Sequence, residues 1–361
     1  MKNWMGEGLL GDVEGIDEKL GEAKEIMEEL KDASLLERIA YENGEEIVKM
    51  HPIVWDMAVK LEKENPRLFS KPCCTIEKFS WEDLCENVER VSLMSNNLKE
   101  LPSLSSAFKF HKLSTLLLQG NPLDIQLDRD FFNNFPNLQI LDLSDTRVRL
   151  DSEALSCLKH LAVLLLRNCI HLTCLSSLSE LLKLIVLDVS GCPIAELPSL
   201  LKLESLMVLN VSDCPIAELP SLSGLKELMV LDASGCPIAE LPHEINHLTK
   251  LVRLILSRTR LMYNADATSW SVEEIGIWNC PQLQKFLISL WFDDEQNLVD
   301  PPNLKAIRGD DSWLGNLKRN SDPFVPFLER TLIKEPPPEE LTSRYALLTL
   351  IYSTDFKVLL D

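Results

Sequence analysis

Three stretches of this chain repeat almost letter for letter: LIVLDVSGCPIAELPSL from Leu184, LMVLNVSDCPIAELPSL from Leu206 and LMVLDASGCPIAELPHE from Leu228, spaced 22 residues apart. A unit this short has too little apolar surface to fold alone, so it must stack on its own copies. Relaxed versions of the template LxxLxLxxCxIxxLP begin at Val88, Leu113, Leu138, Leu161, Leu251 and Val272, giving nine units with steps of 21 to 25 residues. Within a unit, Leu187 and Val189 alternate on one face of a short strand, while Leu184, Ile194 and Leu197 turn the rest of the coil inward. Pro198, Pro220 and Pro242 close the second apolar step and stop any helix from propagating there.

Period, phrase and register together resemble leucine-rich repeats, over roughly residues 88 to 290. The resemblance implies an α/β fold, a curved solenoid of about nine repeats whose short parallel strands line the concave side. Cys169, Cys192, Cys214, Cys236 and Cys280 fall where these repeats carry Asn or Cys; Asn96 and Asn121 hold that place in the first two units, Thr146 and Thr259 in two others. In the family this side chain bonds backbone groups of the bend after the strand, a role a thiol performs more weakly than an amide. Disulfides or a metal site are the competing readings, and C-x-H-x-x-C at Cys169, His171 and Cys174 is the best metal candidate. No second cluster of ligand spacing supports it.

Thirty-six basic against 56 acidic side chains leave a formal charge of −20, a field that repels a phosphate backbone. Nucleic acid is therefore not an expected partner. No run reaches the ~20 apolar residues a membrane helix needs, and the start has no signal-like apolar core. Ten Cys in such a chain point to reduced thiols and a cytoplasmic protein. His243 and His247 stand four apart in HEINHLTK, as helix-borne metal ligands would, yet that stretch is the connecting turn of a repeat. No enzyme activity is expected.

Residues 1–85 have another texture, with 14 acidic and 6 basic side chains in the first fifty. Leu20, Ala23, Ile26, Met27, Leu30 and Ala33 mark an amphipathic helix with Glu22, Glu25, Glu28, Glu29 and Asp32 outside. A hairpin about Asn43-Gly44 and a second helix after Pro52 would complete a small winged-helix α+β domain. The acidic helix disfavours DNA docking. WMGEGLL, EIMEELKDASLLE, VKMHPIVWDMA and ENVERVSLM, in that order, resemble the end of the NB-ARC module of plant intracellular immune receptors and its linker into the repeats. In that family the His of a Met-His-Asp motif reaches the phosphates of bound ADP, so the resemblance assigns nucleotide sensing to Met50 and His51. Position 52 is Pro, without a carboxylate or a backbone donor, and His51 also reads simply as a solvated residue. No GxxxxGK[ST] occurs, so ADP or ATP would be held only if the missing nucleotide-binding lobes were supplied. The expected organisation is 1–85 winged helix, 86–290 repeats and 291–361 a C-terminal cap and tail. LKAIRGDDSWLGNL from Leu304 resembles the segment these receptors carry after the last repeat, which implies a cap on the core, and Pro336–Pro338 open a stiff linker.

The family resemblance implies a defence protein acting through a protein partner: a pathogen effector, a guarded host protein or another immune receptor. A general repeat scaffold without a nucleotide role is the alternative. The third, fifth and seventh places of each unit point to the concave surface. The fifth gives Asp142, Asp188, Asn210 and Asp232; the third gives Val163, Val186, Val208 and Val230, bounded by Arg253; the seventh gives serines and then Trp278. Either the acids recruit a basic strip with Trp278 as apolar anchor, or Asp and Ser merely solvate an exposed sheet. On the first reading, replacing the three aspartates with Arg abolishes partner capture in a pull-down.

Overall fold

The computed structural model describes residues 16–42, 45–50, 53, 57, 67–71, 74–104, 109–260, 274–277, 280, 291–292, 298–299, 306–309, 314–319 and 325–334. At the N-terminal end, helix α1 (Ile16–Asp32) precedes an antiparallel hairpin of β1 (Leu36–Glu42) and β2 (Glu45–Met50). Glu42 pairs with Glu45, as a two-residue Asn-Gly turn demands. Of the helix expected after Pro52, Ile53 and Met57 are helical, and the rest lies outside the described residues.

Beyond this hairpin the chain winds into a solenoid. Its strands are β3 (Leu68–Ser70), β4 (Arg90–Ser92), β5 (Thr115–Leu117), β7 (Ile140–Asp142), β9 (Val163–Leu165), β10 (Val186–Asp188), β11 (Val208–Asn210), β12 (Val230–Asp232), β13 (Arg253–Ile255), β14 (Glu274–Ile277), β17 (Ala306–Gly309) and β18 (Leu332–Lys334). They form one 12-stranded parallel sheet in chain order. Register follows the template place by place: Val186 pairs with Val163 and Val208, and Asp188 with Leu165 and Asn210. The remaining elements decorate coils. They are the parallel pair β6 (Gln126–Leu127) and β8 (Arg149–Leu150), the hairpin β15 (Trp291–Phe292) and β16 (Leu298–Val299), the short helices α2 (Arg129–Phe132), α3 (Leu314–Arg319) and α4 (Val325–Thr331), and 3-10 turns at Trp81–Asp83, Ala154–Cys157, Ser176–Glu180 and His243–His247. Sequence reading places strands in nine units; the sheet adds β3 before them and β17 and β18 after them.

One apolar core runs from Phe79 to Leu328, with Leu187, Leu209, Leu231, Val211 and Ile216 completely buried. Its N-terminal end is plugged by aromatic rings. The Trp81 ring lies 4.9 Å from that of Phe79, 5.4 Å from Phe135 and 5.8 Å from Phe110, and its Nε1 donates to the Pro102 carbonyl at 2.9 Å.

After each strand from β4 to β13 of this sheet the chain turns left-handed at the eighth place: Ser95, Gly120, Asp145, Asn168, Gly191, Asp213, Gly235 and Arg258 all have φ between 53° and 71°. At Gly235 the missing side chain has a second use, since a Cβ would stand 2.1 Å from the Asp213 carboxylate. That carboxylate accepts two bonds from Arg258 Nη2, at 2.8 and 3.1 Å, across the intervening coil.

Coils also touch backbone to backbone at Gly224, where a Cβ would lie 2.1 Å from the Leu201 carbonyl oxygen. Gly224→Ala is therefore expected to cost about 1–3 kcal/mol of stability, because neither backbone can yield without parting the coils. Trp81→Ala should cost about 3–5 kcal/mol. Urea unfolding followed by far-UV circular dichroism checks both, and an unchanged midpoint would refute either expectation.

Candidate protein-docking face

The ninth-place side chains turn into the core just after each left-handed residue. Cys169 donates to the Leu143 carbonyl at 3.1 Å, Cys192 to Leu166 at 2.9 Å, Cys214 to Val189 at 3.1 Å, Cys236 to Val211 at 3.0 Å and Cys280 to Leu256 at 3.2 Å. Each acceptor belongs to the preceding coil. Asn121 does more, donating to Leu93 and Leu118 at 2.8 Å and accepting from the Leu98 N–H at 3.2 Å. Thr146 and Thr259 donate to their own coils, through Leu143 and Leu256. These thiols are free, which settles the alternatives in favour of the ladder over disulfides. Burial pushes Cys214 up to about 11 and Cys236 up to about 12, and a hydrogen bond with Cys169 together with burial raises Cys192. Such thiols stay protonated and inert.

Cys169 is buried in this ladder while His171 and Cys174 are exposed, so the C-x-H-x-x-C residues do not converge. The stretch His243–His247 spells H-E-x-x-H, but it forms a five-residue 3-10 turn. At three residues per turn, positions four apart lie about 120° apart rather than on one face. The His243 side chain is exposed and its Nδ1 stands 3.4 Å from Glu244.

On the sheet's outer face the structure corrects the picture of an exposed acidic stripe. Asp142 is 4% exposed and Asp188 1%. The four Asp and Asn side chains at the fifth place cap the bend after their own strands. Asp142 Oδ1 accepts the Ser144 N–H at 2.9 Å; Asp188 Oδ1 accepts the Ser190 N–H at 3.1 Å and hydroxyl at 2.7 Å; Asp232 Oδ1 accepts those of Ser234 at 3.0 and 2.7 Å. Asn210 does the same for the Ser212 N–H at 3.0 Å. The physical reason is crowding, because strands about 4.8 Å apart leave short side chains covered by their neighbours. Arginines at these places would break the caps, so loss of binding in the triple Arg variant would not report a charge contact. Burial pushes the Asp232 carboxyl up to about 6, with Asp188 and Asp213 adding repulsion against its Ser234 bonds.

The valine column is covered too, and it belongs to an apolar cluster separate from the core: Ile140, Ala162, Val163, Leu165, Val186, Val208, Met229 and Val230, with Leu117, Ile185, Met207 and Val252 half-buried around them. Every member comes from the sheet or the residue just before a strand. The second place of the template, which the pattern marks as free, supplies half-buried Ile185, Met207 and Val252, and Met229, which is buried. The earlier units carry Glu89, Ser114 and Gln139 there, so the switch from polar to apolar was the available signal. Half-buried Arg253 ends the valine column, in register with Val230 and Glu274. Of the remaining expected site residues, His51 and Trp278 lie outside the described residues, and Met50 ends β2.

Short parallel strands, one per coil, joined by a buried polar ladder define a leucine-rich-repeat protein. Its curated relatives are plant disease resistance proteins. It is 35% identical to disease resistance protein At4g27190 of Arabidopsis thaliana over 204 residues, 55% of this chain and 20% of that protein. It is likewise 35% identical to the probable disease resistance protein At4g27220 of the same plant over 185 residues, 50% of this chain and 19% of the relative. The match thus spans about a fifth of those relatives' length. No protein-family profile matches. Among solved structures, a leucine-rich-repeat protein of Leptospira interrogans aligns with TM-score 0.47 and 21% identity, covering 63% of this chain and 74% of that one. No helix among the described residues is long and apolar enough to cross a membrane.

Asp232→Asn keeps the acceptor for Ser234, as Asn210 does for Ser212, and removes a carboxylate that burial disfavours. A raised folded-state pKa adds stability below the unfolded value near 4, and this is lost as pH climbs through about 6. Asp232→Asn should flatten that decline, by about 1–3 kcal/mol between pH 4 and 7. Urea midpoints at the two pH values decide it; parallel curves for variant and wild type would refute the assignment.

Proposed function

We propose that this chain is the repeat-bearing portion of a plant disease resistance protein, and that it works by docking a protein partner on the outer face of its sheet. The observation that carries this reading is the apolar cluster from Leu117 to Val252, built from that face alone. All-parallel sheets ordinarily bury both faces, and here an apolar cluster on the outer face meets solvent only through half-buried Leu117, Ile185, Met207 and Val252, as a face that packs against a partner would. Similarity to disease resistance proteins supplies the biological setting, and the partner is a pathogen effector, a guarded host protein or another immune receptor.

In this reading the winged-helix end of a nucleotide-binding module lies within residues 1–66 rather than the expected 1–85, because β3 and Trp81 belong to the solenoid; the recognition repeats follow, and the closing segment after residue 290 carries β17 and β18 of the same sheet. Met50 and His51 touch ADP only alongside nucleotide-binding lobes that these residues do not include. The chain performs no chemistry of its own and acts in the cytoplasm.

Met207→Glu in the full chain tests the docking face. Met207 is half-buried on the outer face, so the fold tolerates the carboxylate, and at least a tenfold loss of captured partner is expected with an unchanged circular dichroism spectrum. Undiminished capture would refute the reading. Removing residues 1–66 separates the receptor from the scaffold alternative, with the cut placed there because β3 and Trp81 belong to the solenoid. Loss of docking to nucleotide-binding lobes supplied as a second polypeptide is expected, and full retention of all binding would favour the scaffold.

A further inference from the structure

We draw no further inference here: the strongest candidate, the groove at the bend edge of the units from Val88 to Leu161 with Arg147 and Ile170 on its exposed rim, has the buried side chains of Asn96, Asn121 and Thr146 already hydrogen-bonded within the repeats, and nothing in the structure shows what covers it.

Discussion

Five coils are tied to the one before them by a thiol bond that reaches backward. At the bend after each strand a carbonyl points into an apolar core, where an unpaired acceptor would cost on the order of 1–3 kcal/mol. A thiol from the next coil satisfies it, as Cys192 does for Leu166 and Cys214 for Val189. The bond holds neighbouring bends in step, and the left-handed residue before Cys169, Cys192, Cys214 and Cys236 aims each thiol inward. With the bends in step, leucines stack on leucines and the outer columns line up, so the proposed docking face is a consequence of an interaction on the other side of the sheet.

The ladder was legible in the sequence because one polar or sulfur-bearing place recurs among fixed apolar ones. Its geometry was not. Ser95, Asp145, Asp213 and Arg258 share a backbone conformation with Gly120 and Gly235, and nothing in their side chains announces it. Alternation told correctly which residues point outward, but it carries no information about crowding, and so Asp142 and Asp188 were read as exposed when their neighbours cover them. The row through Met207 escaped because a template that marks a place as free directs attention elsewhere. Strand β3 escaped because its coil carries Lys71 where the template has an apolar residue, and β17 because it follows β14 by 32 residues from first residue to first residue.

The aspartate column holds stability and charge in opposition. Asn210 and Asp232 occupy matching places in neighbouring near-identical copies and cap their bends alike, yet one carries a charge that burial resists.

A 22-residue coil presents the same leucine, thiol and backbone contacts to the coil before it and the coil after it. Duplicating one such unit in the gene therefore creates no new junction to be solved. It lengthens the outer row by one side chain, about 4.8 Å of added reach. The near identity of the units from Leu184, Leu206 and Leu228 is what such copying leaves behind, and a lineage holding this protein can alter what it grips by changing the number of coils before changing any residue.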